Sequence, residues 1–266
     1  YRLSPMDFEA NAKEGVAIDW PIRYEDLAPW YDYVEQFVGI SGQNEGLPQL
    51  PDGKFQPPMD MYCVEKKVNP AIEKNWSNRM MTIGRTANLT ESKHNRAKCQ
   101  YRNLCSRGCP YGGYFSSNSS TLPAATETGN LTLRPNSIVE SVIFDEESGK
   151  ASGVRIIDAQ TSETKEYFAK VIFLCASTLG STWIMLNSKS NRFPNGLGNS
   201  SETLGKYLMD HHFMVSSRAQ FDGFEDKYHY GYRPNGIYVP RFQNLNKKHP
   251  DFIRGYGMQG GANRIK

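Results

Sequence analysis

Apolar positions recur with a helical period early in this chain and with a strand period later. In "RYEDLAPWYDYVEQFVGISG" the side chains of Leu27, Trp30, Tyr31, Val34, Phe37 and Val38 fall at helical spacing, and Gly39 stands where such a helix would stop. Residues 41–58 then lose all period and are dense in Gly, Pro, Gln and Asn, which predicts an excursion over a surface rather than a linker between independent domains. A short helix is expected to start at Pro70, with Asn69 as its cap. Further on, "SSNSSTLPAATETGN" offers serine caps, a helix-compatible middle and Gly129 as terminator.

Three strands are predicted next: 131–134 continuing through 138–144, then 151–158, then 166–174. The polar links "DEESGK" and "AQTSET" have hairpin length, so these strands read as a small antiparallel meander. The meander runs into "VIFLC", a wholly apolar run of the kind that is buried on both faces in the parallel sheet of a layered α/β fold. After it, "STWIMLNS" reads as a helix and "NGLGNSSETLGKYLMDHH" as a loop and short helix. The tail from Phe213 alternates strand-like runs, "GIYVPRF" and "DFIRGYGMQ", with polar loops, and no internal repeat or low-complexity tract occurs.

The junction between "VIFLC" and its helix holds Ala176, Ser177, Thr178 and Gly180. Small side chains at the carboxyl end of a buried strand let a ligand approach the backbone, and a helix starting there offers free N–H groups, which favour phosphate. From spacing alone, a plain strand-to-helix turn without a ligand fits equally well.

Composition narrows the classes. Hydrophobic residues make up 38% and charged residues 22% of the 266, which suits a globular domain with a core. A formal charge of +3 without a basic block argues against nucleic acid as a partner. No window approaches the roughly 18 apolar residues of a membrane span. The chain opens "YRLSPMDF" without a starting methionine and stops at "GGANRIK" without a closing element, so a piece of a longer chain is expected. Of five cysteines, Cys99, Cys105 and Cys109 cluster, while Cys63 and Cys175 stand apart; an odd number excludes a fully paired disulfide framework in an isolated chain.

"FLCASTLGSTWIMLNS" followed by "NGLGNSSETLGKYLMDHH" resembles the second signature of the glucose–methanol–choline (GMC) flavoprotein oxidoreductases, whose closing Gly-(Arg/Lys)-x-Leu-x-Asp-His is Gly205, Lys206, Leu208, Asp210 and His211 here. Upstream, "SSNSSTLPAATETGNLTLRPNSIVESVIFDEESGKASGVRIID" is similar to the family segment whose backbone near a valine holds the adenine of FAD, and Val139 occupies that place. "DWPIRYEDLAPWYDYVEQFVGISG" resembles the helix before the family's substrate domain, and the cysteine-bearing segment is nearest the gluconate dehydrogenase-like branch. The resemblance implies an α/β fold with α+β elements. It would comprise part of an FAD-binding Rossmann-like domain with an antiparallel meander, plus part of a substrate-binding sheet domain. The implied divisions are 1–98 as a helix and loop excursion flanking the substrate domain, 99–212 as the central part of the FAD domain, and 213–266 as the start of the substrate sheet.

The same resemblance implies oxidation of a CH–OH group of an alcohol or sugar with FAD as cofactor, and a cytochrome as one possible electron acceptor. Its implied cofactor contacts here are the Val139 backbone and Cys175, Ala176, Ser177 and Ser181. The family's opening strand–GxGxxG–helix and its closing proton-abstracting His with Asn or His are not in these residues, so no catalytic residue is assigned and the bare segment is expected to be inactive. "GYGMQG" at 255–260 fits a glycine pattern but has no room for a βαβ unit, and reads as a strand of the substrate-side sheet. His211 and His212 invite a catalytic reading, but the family's Asp-His at this place is structural. Tyr228, Tyr230, Tyr232, Tyr238 and Tyr256 read mainly as strand packing, with stacking on a sugar ring as the alternative.

"CQYRNLCSRGCPYGG" spaces its thiols C-x5-C-x3-C, unlike the tighter pairs of zinc sites. A disulfide, free buried thiols, or a three-iron cluster as found on a cysteine-rich segment of some relatives all stay open for Cys99, Cys105 and Cys109. Two alternatives to the enzyme also stay open: a non-catalytic binding module on the same fold, and an iron–sulfur or metal protein using those thiols.

Overall fold

The computed structural model describes residues 2–15, 19–210, 215–227 and 236–263. In chain order its elements are α1 (Pro5–Glu14), α2 (Tyr24–Val38), α3 (Cys63–Asn75), β1 (Thr82–Ile83), α4 (Thr121–Glu127), β2 (Ser137–Asp145), β3 (Lys150–Asp158), β4 (Thr164–Phe168), α5 (Ser177–Asn187), β5 (Ile237–Val239) and β6 (Met258–Gly260). They fall into two compact units, residues 1–130 with 219–266, and residues 131–218. The mixture of helices and antiparallel sheets is α/β in class, as expected.

The first unit is built on α2 and the loops that follow it. Asp26 accepts the Arg23 backbone N–H at 2.8 Å to start the helix, and Gly39 ends it with φ +80°. A Cβ on Gly39 would lie 2.2 Å from Leu89 Cδ2, so packing as well as the turn demands glycine there. The irregular stretch 41–58 returns onto this helix end. Ser41 and Thr86 exchange backbone hydrogen bonds at 2.9 and 3.0 Å, and Gln56 N–H donates to Ile40 O at 2.8 Å. Phe8, Val38, Leu50, Met59, Met81, Ile83, Leu89 and Val239 form the buried apolar core.

In this unit α3 departs from expectation. It begins at Cys63, because Glu65 caps the Tyr62 N–H at 2.7 Å, and Pro70 and Asn69 lie inside it. A single interior proline costs one backbone bond and is tolerated where the cap and the flanking turns hold. A three-stranded antiparallel sheet, ordered β1-β5-β6, pairs Tyr238 with both Thr82 and Gln259. The stretch at 255–260 therefore ends as the strand β6.

The second unit holds the meander β2-β3-β4, joined by turns at the two expected places. Residues 131–134 do not join it, and β4 ends at Phe168 rather than continuing to 174. Residues 171–175 form no strand: Val171 is 66% and Phe173 83% exposed. A strand exists only as part of a ladder, and among the described residues no strand lies beside this run. Residues 195–205 are a run of turns and residues 206–210 are irregular, without the expected short helix. α5 packs on β2, and Gly196 folds back against its last turn, with Leu197 N–H donating to Met185 O at 2.9 Å.

Candidate functional site

Val139 sits on β2, the edge strand of the meander, opposite Ile156. The hydrogen-bond phase of the ladder can be read from its ends. Ala159 N–H donates to Asn136 O at 2.9 Å, and Asp158 N–H turns the other way, to Glu163 O at 2.9 Å. Backbone groups alternate sides along a strand. Ser137 and Val139 are therefore in non-bonded pairs with β3, and the N–H and C=O of Val139 both face the outer edge of the sheet. The register then shifts between Val139 and Ser141, leaving Glu140 as a bulge. A donor and an acceptor presented side by side on a free edge match the hydrogen-bonding edge of a purine.

The remaining predicted contacts lie at the start of α5. Cys175, Ala176 and Ser177 are exposed. Ala176 occupies the N-cap position and supplies no side-chain cap, so the first N–H groups of an 11-residue helix stay available. Ser177 enters the helix with φ +63°, a left-handed value uncommon for serine. Ser181 reaches back and donates through Oγ to Leu174 O at 3.3 Å, which ties the incoming chain to the first turn. An uncapped helix start of this length, flanked by small side chains, is a place for an anion. The helix extends about 16 Å, and its other end, at Ser188, is the end that meets β2.

Cys99, Cys105 and Cys109 are free, half-buried thiols that line one small cavity in the first unit. Burial raises the Cys105 thiol, the neighbouring Cys99 charge adds to the effect, and the Asn88 side chain and a backbone amide oppose it only in part. For Cys109 burial also acts upward, but the backbone amides of Tyr114, Tyr111, Gly113 and Gly112 outweigh it and leave the thiol below its ordinary value. Asn88, fully buried, lines the same cavity, and its Nδ2 has no well-formed hydrogen bond. Arg96 donates to Gly112 O at 2.8 Å and Val38 O at 2.7 Å, while its Nη2 is buried without a partner. Among the described residues no group of three or more His, Cys, Asp or Glu is placed to hold a metal ion.

Sequence reasoning did not single out Glu140, Arg96 or Ser188, and it read Asn88 only as part of an "NLT" sequon without weight. A bulge leaves no mark in a strand pattern, and a buried polar side chain announces itself only through its partners. His211 and His212 lie outside the described residues, as do Tyr228, Tyr230 and Tyr232. Tyr238 is part of β5, where burial raises its hydroxyl pKa, as packing in a strand would. No helix is long and apolar enough to cross a membrane among the described residues.

A family model described as GMC oxidoreductase matches residues 19–213. The chain is 30% identical over 274 residues to a 2-methyl-1,2-propanediol dehydrogenase of Mycolicibacterium austroafricanum, covering 97% of this chain and 46% of that protein. It is 24% identical over 217 residues to the fructose dehydrogenase large subunit of Gluconobacter japonicus, covering 79% and 38%. It is 26% identical over 213 residues to the paromamine 6'-oxidase of Streptomyces fradiae, covering 78% and 38%. The chain belongs to the GMC oxidoreductases. It spans less than half the length of these relatives.

Proposed function

We propose that this chain is the cofactor-holding middle of an FAD-dependent oxidoreductase that oxidises a CH–OH group of an alcohol or sugar. One observation carries the reading: the second unit offers both an edge strand with the Val139 N–H and C=O turned outward and an uncapped helix start at Ala176. The first suits the adenine of FAD and the second its diphosphate. Bound FAD would supply the acceptor for the substrate's hydride. This chain's residues bind and orient. The Val139 backbone would fix the adenine, the amides from Ser177 onward would meet negative charge, and Ser181 would hold the turn through Leu174. The relatives named as dehydrogenases and an oxidase act on a diol, fructose and paromamine by their names, which supports a polyol or sugar as the substrate class.

The test is the full-length protein purified with its flavin. One FAD per chain and reduction of an artificial acceptor dye by at least one polyol or sugar are expected. A full-length protein that folds without flavin would overturn the reading. The 266-residue segment alone is expected not to retain FAD stoichiometrically.

A second reading attaches to the thiol cavity. The buried Asn88 side chain, which favours the Cys105 thiolate, and the buried Arg96 guanidinium, which interacts with Cys109 and leaves its Nη2 without a partner, favour negative charge beside these thiols. An iron–sulfur group relaying electrons to an outside acceptor, such as a cytochrome, would meet that demand. Iron and acid-labile sulfide in anaerobically prepared protein, lost on Cys105→Ser, would support it; their absence from wild-type protein would end it.

A further inference from the structure

We infer that Ser188 is a positioning residue for the cofactor: it locks α5 to β2 and so fixes the adenine-side strand edge relative to the diphosphate-side helix start. The inference rests on the functional reading above and adds a residue to it. Ser188 is 3% exposed and uses its hydroxyl twice. Its Oγ accepts the Val142 N–H at 2.7 Å and donates to Ile184 O at 2.7 Å. Its own N–H closes the helix on Ile184 O and Met185 O at 3.0 and 3.2 Å. One side chain thus terminates the helix and takes a backbone donor of the strand.

The bulge gives that bond its meaning. In a regular strand, backbone groups three residues apart face opposite edges. Val139 and Val142 would then point to opposite sides of β2, and the outward groups of Val139 would be unrelated to any anchor on α5. The extra residue Glu140 resets the phase, so that Val139 N–H and C=O and Val142 N–H all face the same outer edge. Ser188 captures the third of these groups and leaves the first two presented. Loss of the Oγ would strand a buried N–H and free the edge to shift against α5.

The charge neighbours do not offer a rival explanation. Among the described residues no charged side chain bonds Ser188, and the segment after α5 otherwise meets β2 at its hairpin end, away from Val139: Arg192 N–H donates to Glu146 Oε1 at 3.3 Å, the Arg192 guanidinium lies over the Phe144 ring, and Phe144 meets Phe193 edge-on at 5.0 Å.

The experiment uses full-length protein stripped of flavin and reloaded. FAD, ADP and inorganic pyrophosphate are the probes, and affinities are compared for wild type, Ser188→Ala, Ser188→Cys and Ser188→Thr. Ser188→Ala is expected to weaken FAD and ADP about five- to tenfold, the size of one hydrogen bond, while pyrophosphate changes less than about twofold. Ser188→Thr, which keeps the hydroxyl, restores most of the loss. Should Ser188→Ala fail to fold, Ser188→Cys carries the test, because a thiol keeps the shape and is a weak acceptor. Equal weakening of all three probes would reduce Ser188 to a general structural role and overturn the inference, as would unchanged affinities. A wild-type protein that binds no FAD would overturn the functional reading itself, a result separable from the other two.

Discussion

Arg2 and Glu35 meet as a buried two-point ion pair: Arg2 Nε donates to Oε1 at 2.9 Å and Nη2 to Oε2 at 2.6 Å. The same guanidinium donates to Tyr24 Oη at 3.0 Å, pairs with Asp32 and lies over the Tyr31 ring. Burial alone would favour losing its charge, but Glu35, Asp32 and Tyr24 hold it charged. Glu35 also accepts the Lys54 N–H at 3.1 Å, so the pair pins the start of the chain and the loop at 54 to α2.

Removing one partner leaves a buried charge. Glu35→Ala is expected to destabilise the protein by about 3–5 kcal/mol, read from urea unfolding, whereas Arg2→Met combined with Glu35→Leu should lose much less. If the single and double variants were equally destabilised, the pair's role in ordering the chain start would be wrong.

Gly196 marks how tightly the loop after α5 is drawn in. Its φ is +106°, and a Cβ there would lie 2.9 Å from both Leu186 Cα and Met185 O. Gly196→Ala is expected to cost about 2–4 kcal/mol, combining backbone strain with a clash that backbone cannot relieve. Gly129, with φ +72° and open space around it, is the control and should cost only about 1 kcal/mol on the same change. Thermal melts of the two variants decide; equal losses would mean the clash at Gly196 is absorbed.

The amphipathic period of α2, with Gly39 as its stop, was legible because local spacing and capping agree with the tertiary contacts. The meander was legible for the same reason, since alternation and hairpin turns are local. The run at 171–175 was misread in its detail because its identity depends on neighbours in a ladder, and its apolar side chains stand exposed in the described structure. Pro70 misled because proline is favoured at a helix start, whereas Glu65 had already capped one at Cys63. Of the candidate site, the small residues at Ala176 and Ser177 could be read directly. The Glu140 bulge and the Ser188 bond could not, since both are relations between segments rather than patterns within one.

Asp158 makes the meander sensitive to acid. Its carboxylate accepts the Gln160 and Thr161 N–H groups at 3.0 and 3.2 Å, and Arg134 and Lys165 lie beside it. Those amides first, then the two cations, hold its pKa below the ordinary carboxylate value of about 3.9. A depressed folded pKa contributes stability that is complete above the unfolded value and lost as pH falls through the folded one. Asp158→Asn should therefore destabilise the protein at neutral pH and flatten the stability loss below about pH 4. A variant whose acid limb matched wild type would show that other carboxylates govern it.

The thiol cavity predicts an order of chemical reactivity. The thiolate is the attacking form, so at a given pH the thiol with the lower pKa reacts sooner where access is comparable. Cys109, held low by four backbone amides against the opposing effect of burial, and Cys105, pushed up first by burial and then by the Cys99 charge, are both half-buried on one cavity wall. Iodoacetamide at neutral pH, followed by peptide mass mapping, is expected to label Cys109 well before Cys105. Raising the pH should narrow the gap, because the raised Cys105 thiol gains its thiolate at higher pH than the lowered Cys109 thiol does. Labelling in the reverse order would contradict the amide stabilisation of Cys109. Protection of Cys99, Cys105 and Cys109 together, relieved by an iron chelator, would instead favour the iron–sulfur reading of the cavity.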